Sequence, residues 1–378
     1  MPAKAAPFER TVLQALREQI PVRDLPGVRI RAIREQPEER FDIKFELESG
    51  KSRVLVLGEI KSALSPKLLQ QIAPWIGRMK SLRPGVAFVL ICPALSLQAQ
   101  TYCIENRIDF MDLAGNISIN VPGTFTLQRL GRRSKEWNVA PSLLPATNVF
   151  SGRSSRVLRV LLENPKPWTA TAIANELRAE TKKFARAFSA DQTQFAITPS
   201  AISKALSSLD EQLWIRRQGF SILLPEPRRL LAEWAEKYKD RYRRRLRSSF
   251  EVSNPLGATP ADINEALKSL IRGPYAVTGA TAALDAPFLD LDRIDVFLLP
   301  NQNETKLRQL DQRPGTGPKL RFIYPYDVGV FLYSRNDGPV PRVSNIQAYL
   351  DLYARGGRDL KQADYLLDNA IEPRWKAA

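Results

Sequence analysis

The spacing of apolar residues changes period more than once along this chain. Over residues 8–20, Val12, Leu13, Leu16 and Ile20 recur at helical spacing, which predicts an amphipathic helix. Short apolar runs then take over. Residues 27–32, 40–47 and 53–60 read as strands, the last two joined by the turn signal Glu48-Ser49-Gly50-Lys51. Residues 66–80 return to helix, with Pro74 inside them expected to kink or split it. A wholly apolar strand follows at 86–92, then a helix at 95–106 and a strand at 108–113, closed by Gly115-Asn116. Strands alternating with helices predict an α/β domain over residues 1–135.

Residues 134–155 hold Pro141, Pro145 and a run of small polar residues, and read as a linker. Beyond them the pattern is helical. Residues 153–163 form a first helix with Val157, Leu158, Leu161 and Leu162 apolar, and residues 169–178 a second, with Thr169 as its N-cap. A third starts at Thr198-Pro199, an N-cap followed by proline in the first helical position. Along it Ile202, Ala205, Leu206 and Leu209 make an inward stripe, while Ser200, Ser203, Lys204 and Ser207 fall on the opposite face. Residues 213–224 then read as a hairpin with a basic, glycine-containing tip. Three helices followed by such a hairpin is the pattern of a winged helix-turn-helix, here assigned to residues 150–248. Second and third helices of that motif are joined by a short turn, whereas here residues 179–195 intervene, bringing Lys182, Lys183 and Arg186. The pattern leaves open whether this insert extends a helix or adds a phosphate contact. An amphipathic helix at 225–238 runs on into Arg241, Arg243, Arg244, Arg245 and Arg247, either a solvated helix end or a phosphate-binding arm. Residues 250–378 read as a further α/β domain. Helices are expected at 261–271, 279–284, 343–353 and 360–371, and strands at 293–299, 320–324 and 329–333.

Charge changes the picture. The net charge is +16, and it is not evenly spread: residues 151–250 carry 20 Lys and Arg against 10 Asp and Glu, while residues 251–378 carry 15 against 16. A concentrated positive field over the helical third points to a polyanion, here double-stranded DNA. The Ser200, Ser203, Lys204 and Ser207 face suits a major groove, and Arg216 and Arg217 on the hairpin, with Arg243 and Arg244 beyond it, suit phosphates. The plainer reading of that face is an ordinary solvated helix surface. Only two cysteines, Cys92 and Cys103, occur, which fits a reducing compartment and a cytoplasmic protein without a disulfide framework. No apolar run has the length of a membrane span, and the first residues lack a signal-peptide core. Histidine is absent. That removes imidazole bases and histidine-ligated zinc, so any catalysis must use carboxylates, lysine and a hard cation.

One such set is present. Asp42 lies in one strand, and Glu59 and Lys61 at the end of the next project to the same side. Two carboxylates can hold Mg²⁺, and a nearby ammonium can orient water or steady charge on phosphate. Glu and Lys at a strand end are also common as solvated edge residues. Gln71 and Trp75 follow at helical spacing. The series Asp42, Glu59-Ile60-Lys61, Gln71 and Trp75 resembles the PD-(D/E)xK motif and later helix of restriction-endonuclease-like domains, with Phe41 where proline is usual and Trp75 in place of tyrosine. The segments 102–105 and 109–116 also resemble a degenerate nuclease-like domain of bacterial defence regulators. Asp290, Asp292 and Asp295 precede or open a strand without an evident partner ligand, and read as structural.

The segments 275–283 and 343–352, with Arg358 and 363–367, resemble the C-terminal part of AbiEi-type antitoxins of type IV toxin–antitoxin systems. With the winged helix, the resemblance covers residues 150–378. It implies a regulator that binds promoter repeats, represses its own operon without a cofactor, and opposes a nucleotidyltransferase toxin without a stable complex. The alternative is a Mg²⁺-dependent nuclease, with Asp42 and Glu59 on the metal, Lys61 positioning water and Gln71 steadying the site.

Overall fold

A computed structural model describes residues 7–35, 41–131, 148–188, 196–257, 259–271, 273–283, 293–299, 304–312, 315 and 317–376. The chain is mixed α/β and divides into two compact units, residues 1–146 with 211–213, and residues 147–210 with 214–378.

The first unit begins with helix α1 (Pro7–Arg17) and carries a seven-stranded sheet whose strands lie side by side in chain order. These are β1 (Val28–Glu35), β2 (Ile43–Ser49), β3 (Ser52–Ile60), β4 (Val86–Cys92), β5 (Asp109–Asp112), β6 (Ile117–Val121) and β7 (Phe125–Arg129). Strands β3, β4 and β5 run parallel, and the other neighbouring pairs are antiparallel. Parallel neighbours need a crossover, and helices α2 (Pro66–Leu82) and α3 (Leu97–Glu105) supply the two. One sheet face packs Phe45, Val56 and Val89 with Val12, Leu13 and Leu16 of α1. The other packs Leu57, Phe88, Leu90 and Phe110 with Leu69 and Ile76 of α2 and Ala99 and Cys103 of α3. Strand β4 is therefore covered on both sides, which accounts for its unbroken apolar run. Gly58 is required in β3. A Cβ there would stand 2.8 Å from side-chain carbons of both Ile43 and Ile91.

One sequence expectation changes here. Helix α2 runs unbroken through Pro74. The carbonyl of Gln70, which loses its helical donor at Pro74, lies on the exposed side, where solvent can satisfy it. The acidic pair in the segment 109–116 proves to be structural. Asp112 accepts from the amides of Leu95 (3.0 Å) and Asn116 (2.8 Å) and from the Asn116 side chain (2.9 Å), so it ties the β5–β6 turn to the loop before α3. Asp109 pairs with Lys80 at 2.7 Å and accepts from the Asn120 amide. Burial pushes both carboxyls up, against these partners.

The second unit opens with Val149 and Phe150 already buried, so the end of the expected linker belongs to a core; residues 134–147 lie outside the described residues. Helices α4 (Ser155–Glu163), α5 (Ala170–Phe188) and α6 (Pro199–Glu211) lead to the hairpin β8 (Arg216–Gln218) and β9 (Ser221–Leu223), and then to α7 (Pro227–Arg247). Helix α5 ends ten residues beyond the expected position. The first part of the insert therefore extends the helix, with Lys182, Lys183 and Arg186 exposed along it; residues 189–195 lie outside the described residues. Next come β10 (Phe250–Val252), α8 (Pro260–Leu270), β11 (Tyr275–Thr278), β12 (Arg293–Leu298), α9 (Glu304–Arg308), β13 (Lys319–Ile323), α10 (Asn345–Arg355), α11 (Asp359–Leu366) and α12 (Glu372–Lys376). The four strands form one sheet in the order β10-β13-β12-β11, with β12 and β13 parallel. Residues 329–333 do not form the expected strand. Asp327 accepts from the Gly329 amide at 2.8 Å and starts a short 3₁₀ turn, Val328–Phe331.

Residues 149–246 and 276–375 share one hydrophobic cluster, in which Leu158, Leu161 and Trp234 join Phe331, Ile346 and Leu350. Polar groups cross the same junction. Arg156 grips Asp327 through two hydrogen bonds of 2.9 and 2.8 Å. The buried Arg159 donates to Gln347 at 2.5 Å and lies over the Trp234 ring. Gln347 in turn donates to Tyr238 (3.0 Å) and Asp351 (2.8 Å). Asp351 also accepts from Tyr238 at 2.5 Å and from the Thr278 hydroxyl. Burial outweighs these donors and pushes its carboxyl up to about 6. Trp375 closes the arrangement by donating to the Leu162 carbonyl at 2.8 Å.

Candidate functional site

In the first unit, the carboxylates expected to matter stand at the C-terminal end of β3. The Asp42 amide donates to the Gly58 carbonyl at 3.1 Å, and its Oδ2 accepts from the Ile60 amide at 2.6 Å. The Asp42 carboxylate thus rests against the Glu59–Ile60 peptide. Glu59 and Lys61 share a side, as their spacing requires, and their side chains meet at 2.6 Å with both partly exposed. Asp42, Glu59 and Lys61 are brought together; Gln71 is not. It lies exposed on α2, and among the described residues it makes no hydrogen bond to the other three. Trp75 stays close by another route, with its ring centroid 5.5 Å from that of Phe41. A cation here would draw on Asp42 and Glu59, each with one oxygen not engaged by a described partner. Two carboxylates fit the oxygen-rich, partly hydrated shell of Mg²⁺. Among the described residues no group of three or more His, Cys, Asp or Glu side chains gathers to hold a metal.

In the second unit, α6 is fastened by its own sequence. The Thr198 hydroxyl accepts from the Ala201 amide at 3.2 Å, and Pro199 takes the first position. Ile202, Ala205, Leu206 and Leu209 face inward. Ser200, Ser203, Lys204 and Ser207 are all exposed, so one whole face of the helix offers hydroxyls and an ammonium to solvent. Thr169 caps the start of α5 in the same way, accepting from Ala172 at 3.1 Å. The hairpin after α6 is anchored by a residue that carries no signal in sequence. Trp168, ahead of α5, exchanges two backbone hydrogen bonds with Ile222 (2.9 and 2.7 Å) and adds a third extended segment beside β9. Ile222 is buried, whereas Arg216, Arg217, Gln218, Gly219 and Phe220 are exposed.

The basic residues divide into engaged and available. Arg217 leans toward Asp210 at 3.5 Å, and Arg243 donates to the Ala354 carbonyl at 3.3 Å; both stay exposed. Lys204, Arg216 and Arg244 are exposed without an ion pair among the described residues. Asp295 is fully buried and held by Arg321 at 2.9 and 2.6 Å and by Arg355, a structural role. Asp290 and Asp292 lie outside the described residues. Sequence reasoning placed Trp168 at the opening of the second helix and Phe220 in the hairpin, and gave neither these nor Asp210 a role at the site. For Phe220 a signal existed, an aromatic following glycine at the centre of a hairpin.

Among the described residues no helix is long and apolar enough to cross a membrane. No family model matches the chain, and no curated protein matches it. Among solved structures, EndoMS in apo form is similar over 29% of this chain at 11% identity, with a TM-score of 0.21. That likeness spans about half of the other chain, 47% of its length.

Proposed function

We propose that this protein is a double-stranded-DNA-binding regulator whose residues 150–248 act as a winged helix-turn-helix. The observation that carries this reading is the exposed Ser200, Ser203, Lys204 and Ser207 face of α6, followed at once by an arginine-bearing hairpin pinned to Trp168. A helix face of short polar side chains can approach base edges in a major groove. Arg216 and Arg217 then meet phosphates, which fix orientation without specifying sequence. The charge excess of residues 151–250 supports the same partner. The resemblance of residues 275–283 and 343–352 to AbiEi-type antitoxins extends the reading to repeats in the protein's own promoter and to a nucleotidyltransferase toxin as the opposed activity. The test is a gel shift on the DNA upstream of its own gene at two salt concentrations. A set of six or more phosphate contacts predicts a loss of about 10³-fold between 50 and 200 mM salt. No shift at the lower salt rejects the reading.

A second reading is favoured by a separate observation, the contact of Lys61 with Glu59 beside the Asp42 carboxylate. Two antiparallel strands followed by parallel β3, β4 and β5 with intervening helices suit a restriction-endonuclease-like domain. In this reading Asp42 and Glu59 hold Mg²⁺ and Lys61 steadies charge on the scissile phosphate. Supercoiled plasmid with Mg²⁺ discriminates. An active site predicts nicking by the wild type and a loss of about 10²-fold or more in Glu59→Ala; equal nicking by both, or none by either, rejects the enzyme.

A further inference from the structure

Phe220 stands out on the surface of the second unit. It is 93% exposed, more than any other large apolar side chain among the described residues. A single exposed apolar residue is ordinary on a protein surface. Its position is not. Residues Gln218 and Ser221 pair across the hairpin, so Gly219 and Phe220 form a two-residue turn. Gly219 has φ +58°, and Phe220 is not among the residues with positive φ, which is the pattern of a type II′ turn. The second position of such a turn is normally taken by a small polar residue that water solvates easily. Here an aromatic ring is carried at the outermost point of the hairpin, where no described residue covers it.

The support beneath the ring is rigid. Ile222 is buried and doubly bonded to Trp168, and Trp168 is itself buried, with its indole donating to the Asn164 carbonyl at 2.8 Å. The strand leading to the tip bears Arg216 and Arg217, both exposed. A ring held forward of two cations matches a surface that is apolar between its layers and anionic along its edges. Stacked base pairs flanked by phosphates have that character.

From this we infer that Phe220 is an apolar wedge, which enters between adjacent base pairs from the minor groove and bends the bound duplex while Arg216 and Arg217 engage the flanking phosphates. The inference rests on the DNA-binding reading above and assigns the hairpin a task separate from that of α6. The helix selects the site, and the ring deforms it. Deformability then becomes part of specificity, because pyrimidine–purine steps open most readily.

The experiment uses the full chain and 30-base-pair duplexes tiling the DNA upstream of its own gene. Each duplex carries a fluorophore pair at its ends or a single 2-aminopurine at successive positions. Wild-type protein brings the ends together by a bend of about 20° or more, and 2-aminopurine brightens at one unstacked step. Phe220→Ala binds about tenfold more weakly, straightens the duplex and leaves 2-aminopurine dark, while Phe220→Trp keeps the bend. Lys204→Ala weakens binding but, at saturating protein, leaves the bend intact. Because the ring is almost fully exposed among the described residues, Phe220→Ala should melt like the wild type. If Phe220→Ala matches the wild type in affinity, bend and brightness, the wedge is wrong while DNA binding stands. If wild-type protein binds none of the duplexes, both readings fall together.

Discussion

Replacing Ser203 and Lys204 together by glutamate should abolish specific DNA binding while leaving the fold intact. Both side chains are exposed, and neither belongs to the inward stripe of Ile202, Ala205, Leu206 and Leu209. Thermal melting should therefore stay within about 1 °C, since surface changes of this kind are worth within about 0.5 kcal/mol. At the groove the effect is different in kind. The ammonium of Lys204 is lost, and two carboxylates are set against bases and phosphates. A lost base or phosphate contact costs about 1–3 kcal/mol, and like-charge opposition adds to it, so affinity should fall about 100-fold or more. The slope of binding against salt should become shallower as a phosphate contact disappears. The measurement is a fluorescence-anisotropy titration at several salt concentrations. A change below threefold would mean that this face points away from DNA.

The second large effect concerns stability. Asp295 is the central anion of the C-terminal sheet, with Arg321 on one side, Arg355 on another and Arg293 Nε at 3.6 Å. Its side chain has no exposed surface, and that of Arg321 is nearly enclosed. Asp295→Ala would leave the Arg321 and Arg355 guanidinium groups facing each other in a low-dielectric interior. Removing one partner of a buried pair costs about 3–5 kcal/mol. For a protein of this size that should lower the melting temperature by roughly 4–6 °C. A denaturant titration would register the loss at constant slope. Replacing Asp295, Arg321 and Arg355 together by apolar side chains of similar volume should recover much of the loss, because the desolvation cost of the charges disappears with them. A single-variant loss below 1 kcal/mol would show that the interior rearranges or admits water.

Much of this was legible where periodicity is strong. The polar stripe of α6 could be read from Ser200, Ser203, Lys204 and Ser207 because helical spacing separates it cleanly from the apolar stripe. The doubly covered strand β4 announced itself through its unbroken apolar run. The contact between Glu59 and Lys61 follows from a two-residue spacing on a strand. What was hidden depends on partners distant in the chain. The pairing of Trp168 with Ile222 joins residues 54 positions apart through backbone groups, which carry no sequence mark. Strands β6 and β7 are short and lie past the glycine turn that looked like a boundary. The apolar run Val328–Phe331 has strand composition, but Asp327 accepts an amide two residues on and curls it into a 3₁₀ turn. The polar residues of α4 were equally silent. The sequence assigns no role to Arg156, Arg159 and Glu163, yet all three are buried against groups supplied by residues 327, 347 and 374.

The last point bears on how this molecule can be taken apart. Modular regulators are often rebuilt by grafting their reading heads onto new bodies. Residues 149–247 resist such surgery. A cut after Arg247 would strip Asp327 from Arg156, Gln347 from Arg159 and Asp351 from Tyr238 in one stroke. The severed fragment would present stranded charges and a bare apolar flank to water, and its partner half would do the same. Residues 149–247 and the C-terminal half are inherited as one piece, so a change in either must be accommodated by the other.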